Sequence, residues 1–179
     1  MQVNNNKPFG IAVVGLGTVG CGLISILEKN REIITARTGR EFKIVAVSAK
    51  NKTKKREVEL THLNWVNNPL DVAKLQDVDC VVELVGGYDG IAKELIFRAL
   101  DLGKMVVTAN KALLAHYGQE IARKAEKNDV NVYFEAAVAG GIPIVKIMLE
   151  SLSPNKTEKI FGVINGTCNY ILTEMEKNS

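Results

Sequence analysis

Apolar and polar positions alternate along this chain in a repeating way: a short run of β-branched and other apolar residues, a glycine or polar turn, then apolar residues at three- and four-residue steps. Phe9 to Val14 opens the pattern as a strand and runs into Gly15-Leu16-Gly17-Thr18-Val19-Gly20. A helix with Leu23, Ile24 and Leu27 on one side follows. After a charged connection from Asn30 to Glu41, Phe42 to Ser48 reads as a second strand. Glu57 to Leu75 gives no clear period, although Asn68-Pro69 marks a turn into a short helix over Leu70 to Leu75, and Trp65 reads as a packing residue. The rhythm returns with a strand over Cys80 to Val85, which carries one acid, Glu83. A helix over Tyr88 to Leu102, a strand over Lys104 to Thr108, a helix over Tyr117 to Lys127 and a strand over Val130 to Phe134 complete it. Alternation of this kind predicts an α/β fold with a doubly wound parallel sheet. Farther on, a helix runs from Pro143 to about Leu152, Pro154-Asn155-Lys156 opens a linker, Lys159 to Ile164 reads as a last strand, and Ile171, Leu172 and Met175 mark a final helix.

The first strand-turn-helix unit carries the earliest chemical signal. In G-x-G-x-x-G at this position, Gly15 permits the sharp turn, Gly17 lets backbone approach a pyrophosphate, and Gly20 lets helix and strand pack closely. The anion sits on unpaired N–H groups at the positive end of the helix dipole. Dinucleotide binding is the favoured reading, with a plain structural turn as its competitor. An acid at the end of the second strand would accept from the ribose 2′-hydroxyl of NAD. None stands there. Ala49 is followed by Lys50-Asn51-Lys52-Thr53-Lys54-Lys55-Arg56, so NADP is favoured over NAD, with Lys50 as the leading contact to the 2′-phosphate.

Composition narrows the class without changing it. The 179 residues are 46% hydrophobic and 24% charged, enough for one core and the start of another unit. The formal net charge of +3 gives no ground for nucleic-acid binding. No apolar run is long enough to span a bilayer, and Met1 to Pro8 is polar where a signal peptide has an apolar core, so a cytoplasmic protein with no membrane partner is expected. Cys21, Cys80 and Cys168 are odd in number and lack C-x-x-C spacing, which argues against a disulfide framework or zinc site. His62 stands isolated. Gly86-Gly87 leaves bare backbone at a strand end, where it can border a cofactor. Glu135 to Pro143 is rich in small residues around one carboxylate and suits either a close-packed turn or carbonyls gripping a cation.

The motifs GLGTVG, VVELVGG, VVTANKALLA, FEAAVAGGIP and GVINGTCNYIL stand in this order over Gly10 to Thr173, and together they resemble the N-terminal part of homoserine dehydrogenases. The resemblance implies a Rossmann-type cofactor domain over 1–153 and the beginning of a substrate-binding and dimerising domain over 154–179. The implied reaction is NAD(P)H-dependent reduction of L-aspartate 4-semialdehyde to L-homoserine, in threonine and methionine biosynthesis. Lys111 matches the lysine implicated in proton transfer to the forming alkoxide. Thr108, Ala109 and Asn110 would flank the nicotinamide, Lys111 would lie between it and the substrate, Gly166 would join the cofactor-binding residues, and Thr18 and Val19 would join the glycines of the first turn. Asn165 and Thr167 fall in the motif that returns to the substrate. Glu135, with carbonyls of Val138, Gly140 and Ile142, matches a monovalent-cation site, sodium for example. Family members are much longer and the full-length protein is expected to be a homodimer, so a truncated chain that binds cofactor but turns over slowly or not at all, an inactive fragment, is expected.

Two rival readings are weaker. An acylating semialdehyde dehydrogenase would use Cys168 as nucleophile, yet neither His62 nor His116 has a recognisable partner motif to activate it. A non-catalytic NADP(H)-binding module would have no need of Lys111.

Overall fold

In the computed structural model, which describes residues 7–163 and 165–178, six parallel strands form one sheet. They are β1 (Phe9–Val14), β2 (Phe42–Ser48), β3 (Asn64–Trp65), β4 (Cys80–Glu83), β5 (Met105–Thr108) and β6 (Val132–Tyr133), in the order β3-β2-β1-β4-β5-β6. The order reverses direction between β1 and β4, which is where open α/β sheets bind ligands. The helices are α1 (Thr18–Lys29), α2 (Arg31–Thr38), α3 (Ile91–Asp101), α4 (Lys111–Lys127), α5 (Ile144–Lys146) and α6 (Gly166–Lys177).

Side-chain alternation along β1 explains why helices are needed on both faces. Ala12 and Val14 point into one core with Leu95 and Ile96 of α3 and Leu113 and Ile121 of α4. Ile11 and Val13 point into the other, with Ile24 of α1, Val47 of β2 and Val82 of β4. Each of the fully buried Leu and Ile side chains contributes about 1.5–3 kcal/mol by leaving water. Gly10 fixes the strand's entry. Its N–H donates to Asp79 Oδ2 at 2.7 Å, its carbonyl accepts from Asp79 N–H at 2.8 Å, and a Cβ there would lie 1.7 Å from the Asp77 carbonyl oxygen.

Several expectations are corrected. The charged connection from Asn30 to Glu41 contains α2, closed by Gly39 in the left-handed region at φ 70°; its weak amphipathic pattern leaves no residue buried, so there was little period to see. The unreadable stretch before Leu75 holds the two-residue edge strand β3 and a 3-10 turn over Pro69–Lys74, capped by Asn68. The helix expected from Tyr117 begins at Lys111, because Asn110 Oδ1 accepts from Leu113 N–H at 3.1 Å and starts the helix a turn and a half earlier. No strand forms over 159–163: Ile160, Phe161 and Val163 are exposed and no sheet neighbour supplies a ladder. Ile164, the last residue of that expected strand, lies outside the described residues. The segment after Pro143 is helical as expected, but α5 loosens into a π turn over Ile147–Ser151.

Candidate functional site

The register of the sheet aligns Ser48, Val14, Glu83 and Thr108 as one row across β2, β1, β4 and β5. Every chain segment leaving that row therefore emerges at the same carboxyl edge. The segments carry the glycine turn after β1, Lys50 after β2, Gly86-Gly87 after β4, and Ala109-Asn110-Lys111 after β5. Thr108 closes its strand as a buried residue. Candidates far apart in sequence thus share one ledge.

The glycine turn has three distinct geometries. Gly15 takes φ 102° and lies so close to β4's continuation that a Cβ would sit 2.4 Å from the Leu84 carbonyl oxygen. At Gly20 a Cβ would meet the Gly15 carbonyl oxygen at 2.1 Å, so this residue lets α1 lie on the turn itself. Gly17, by contrast, faces open space, and no side chain caps the first turn of α1, which also carries no acid. Thr18 and Val19 are exposed beside it. Unpaired amides above an open glycine fit a pyrophosphate. At the far end of the row, the buried Ser48 Oγ has no hydrogen-bond partner. That orphaned hydroxyl lies where a ribose is expected, and the residues present fit a dinucleotide.

Lys50 is exposed at the end of β2, and the loop beyond it is organised by a residue that sequence reasoning passed over. Arg56 donates Nη2–H to the Asn51 carbonyl at 2.7 Å, Nη1–H to the Lys54 carbonyl at 2.8 Å and Nε–H to the Leu16 carbonyl at 3.3 Å, while stacking over Trp65. Its fork is consumed holding the loop, which leaves Lys54 and Lys55 along a cavity of about 540 Å³ shared with Leu16, Gly17 and Thr18. An arginine among lysines was the available signal, since its planar fork of five donors can reach the four carbonyls of Leu16, Asn51, Lys52 and Lys54 at once.

On the other side of β1 lies a closed polar ring. Glu83, fully buried, accepts at Oε1 from Val85 N–H (2.8 Å) and Gly86 N–H (3.3 Å) and at Oε2 from the Thr108 hydroxyl (2.6 Å). Thr108 Oγ1 accepts from Asn110 N–H at 3.0 Å, and Asn110 Nδ2 donates to the Gly87 carbonyl. Lys111 follows as the first residue of α4, exposed at the ledge.

The remaining candidates stand apart. Glu135 begins a short 3-10 turn just after β6, the neighbour of β5, and the loop beyond is shaped by Ala139 at φ 52° and Gly141 at φ 87°. Val138 and Ile142 are exposed, and the Ile142 carbonyl accepts from Ile144 N–H. Asn165 caps α6 by accepting from Cys168 N–H at 2.9 Å, with Gly166 and Thr167 in its first turn. No residue of α6 is buried, and among the described residues no hydrogen bond joins these three to the ledge. Cys168 is exposed, and neither histidine serves it: His62, expected to be isolated, pairs with Glu28 at 3.1 Å, and His116 stacks on Tyr88. Among the described residues no three His, Cys, Asp or Glu side chains form a metal cluster, and no helix is long and apolar enough to cross a membrane.

Comparison with known proteins agrees with this architecture. The family profile described as "Homoserine dehydrogenase, NAD binding domain" matches residues 15–135, and that described as "Homoserine dehydrogenase" matches 143–179. The homoserine dehydrogenase of Neisseria gonorrhoeae is 50% identical over 97% of this chain and 40% of its own length; that of Pseudomonas aeruginosa is 46% identical over 96% and 39%. The solved structure of a homoserine dehydrogenase from Thiobacillus denitrificans superposes with a TM-score of 0.86 at 47% identity, covering 96% of this chain and 39% of that one. The chain thus spans about 40% of the length of these relatives. With the cofactor-domain profile laid over the glycine turn and the ledge, and relatives this similar along nearly its whole length, the chain belongs to the homoserine dehydrogenase family.

Proposed function

We propose that this chain is the cofactor-binding part of an enzyme that reduces L-aspartate 4-semialdehyde to L-homoserine with a nicotinamide dinucleotide. The observation that supports the reading is the shared sheet edge, from which the glycine turn after β1 and Lys111 after β5 both leave the sheet, with β4 between them. Gly17 and the first-turn amides of α1, with Thr18 and Val19, hold the pyrophosphate, and Gly15 and Gly20 keep the turn tight enough to do so. The absence of an acid after Ser48 and the presence of Lys50, Lys54 and Lys55 favour NADP over NAD. Gly86, Gly87, Thr108, Ala109 and Asn110 border the nicotinamide, joined by Gly166.

When bound, the nicotinamide supplies the hydride for the aldehyde carbon. Negative charge then builds on the aldehyde oxygen, and the Lys111 ammonium stabilises it and delivers the proton that completes the hydroxyl. Asn165 and Thr167 contact the substrate. Glu135 and the carbonyls of Val138, Gly140 and Ile142 hold a monovalent cation such as sodium. The cofactor unit spans 1–153 and the substrate unit begins at 154, in a cytoplasmic homodimer.

Titration of the chain with NADP and NAD side by side tests the reading. Binding of both, with NADP the tighter, is the expected result; no binding of either would overturn it.

A further inference from the structure

We propose that Glu83 is a positioning residue that sets the width of the nicotinamide half of the cleft. The inference rests on the reading above that a nicotinamide dinucleotide lies along this edge. Its basis is the closed circuit in which Glu83 ties the Val85-Gly86 amides to Thr108, Thr108 ties on Asn110, and Asn110 returns to the Gly87 carbonyl. Two loops from neighbouring strands are thereby fixed against each other: the one bearing Gly86 and Gly87, both at φ 81°, and the one bearing Lys111.

Proton accounting shows why a carboxylate is required. Thr108 has one hydroxyl proton, given to Glu83 Oε2, while its oxygen receives the Asn110 N–H. Glu83 Oε1 already faces two N–H donors. Both carboxylate oxygens must therefore accept, and an amide in this position would set its NH₂ group against backbone N–H groups or displace the hydroxyl proton of Thr108.

Packing gives no other reason for the acid. Glu83 and Thr108 are register partners on β4 and β5, as are their neighbours Val82 and Val107, and an apolar pair could occupy the same place. Burying a carboxylate completely costs free energy that such a pair would not. What the ring supplies instead is a fixed separation between two cofactor-facing loops, the kind of support that holds a reactive geometry in place.

The test compares NADPH with 2′-phospho-ADP-ribose, which is the same nucleotide without its nicotinamide, in the wild-type chain and in Glu83→Gln, Thr108→Val and Thr108→Ser. Glu83→Gln and Thr108→Val should raise the NADPH Kd about tenfold or more, leave 2′-phospho-ADP-ribose within about twofold, and speed amide exchange at Gly86 and Asn110. Thr108→Ser keeps the hydroxyl and should restore NADPH affinity to within about threefold of wild type. Equal weakening of both ligands, or unchanged NADPH affinity with unchanged exchange, would overturn the inference while leaving the cofactor reading intact. A wild-type chain that binds neither nucleotide would overturn both. If Glu83→Gln fails to fold, the two Thr108 variants carry the same comparison.

Discussion

The Nε–H of Arg56 donates to the carbonyl of Leu16, forty residues earlier in the chain, and so fastens the lysine loop to the glycine turn. Arg56→Ala removes that link together with the contacts to Asn51 and Lys54. It also uncovers Trp65, the chain's single tryptophan. The expected outcome is a shifted tryptophan emission and an NADP affinity lowered about tenfold, with NAD changed by less than about threefold. Lys50→Ala should weaken NADP by about three- to tenfold without moving the emission, since Lys50 does not lie over that ring.

Three glycines should separate folding from binding. A Cβ at Gly10 or Gly20 would lie within about two ångströms of a backbone oxygen, and Gly10→Ala or Gly20→Ala is expected to destabilise the chain by about 3 kcal/mol or more in denaturant melts. At Gly17 the backbone has φ −85° and the added methyl meets nothing within 4 Å. Gly17→Ala should therefore melt like wild type while losing NADPH affinity by calorimetric titration.

Cys80 and Cys168 should differ sharply as thiols. Burial, with a smaller contribution from the Asp79 carboxylate, pushes the Cys80 thiol up to about 12, whereas Cys168 is exposed. Iodoacetamide at pH 8 should label Cys168 and spare Cys80 until the chain unfolds. The raised value also has a sign for stability: the folded chain keeps a proton that the unfolded chain releases above about pH 8.5. That contribution is complete below this pH and is lost as pH rises towards 12. The wild type should lose up to about 1.4 kcal/mol per pH unit more than Cys80→Ala across that window, measured by urea unfolding.

Adjacent residues at the start of α4 have separable roles. Asn110 caps the helix and reaches Gly87, so Asn110→Ala should cost about 1–2 kcal/mol in thermal or chemical melts. Lys111 is exposed and makes no hydrogen bond or ion pair among the described residues, so Lys111→Ala should change stability by less than about 0.5 kcal/mol. In a full-length version that carries out the semialdehyde reduction proposed above, the same variant should lower kcat by about 10²- to 10⁴-fold with cofactor affinity nearly unchanged.

The strands of the interior and the helices between them were legible because each had a period to read: Ile11 and Val13 against Ala12 and Val14, or Leu95 with Ala99 on α3. The edge strand β3 was not, since two residues carry no period, and α2 was hidden by its charged, wholly unburied sequence. The expected strand over 159–163 fails for the converse reason. Its residues have strand character, but a strand exists only through a neighbour that pairs with it. At the site, Gly15, Gly17 and Gly20 could be assigned separate tasks from spacing alone. The ring through Glu83, Thr108 and Asn110 could not, because it depends on register between strands 25 residues apart. Sequence showed an acid in an apolar run; only pairing shows what it holds.

Both outer strands of the sheet, β3 and β6, are two residues long. A margin so brief offers an incoming extended peptide almost no ladder to copy, while β1 lies between β2 and β4, and β3 covers β2 at Ala46 and Val47. Short outer strands of this kind limit templated, fibre-like growth, and on the uncovered part of β2 the exposed Lys43 adds a charge of the sort that discourages it.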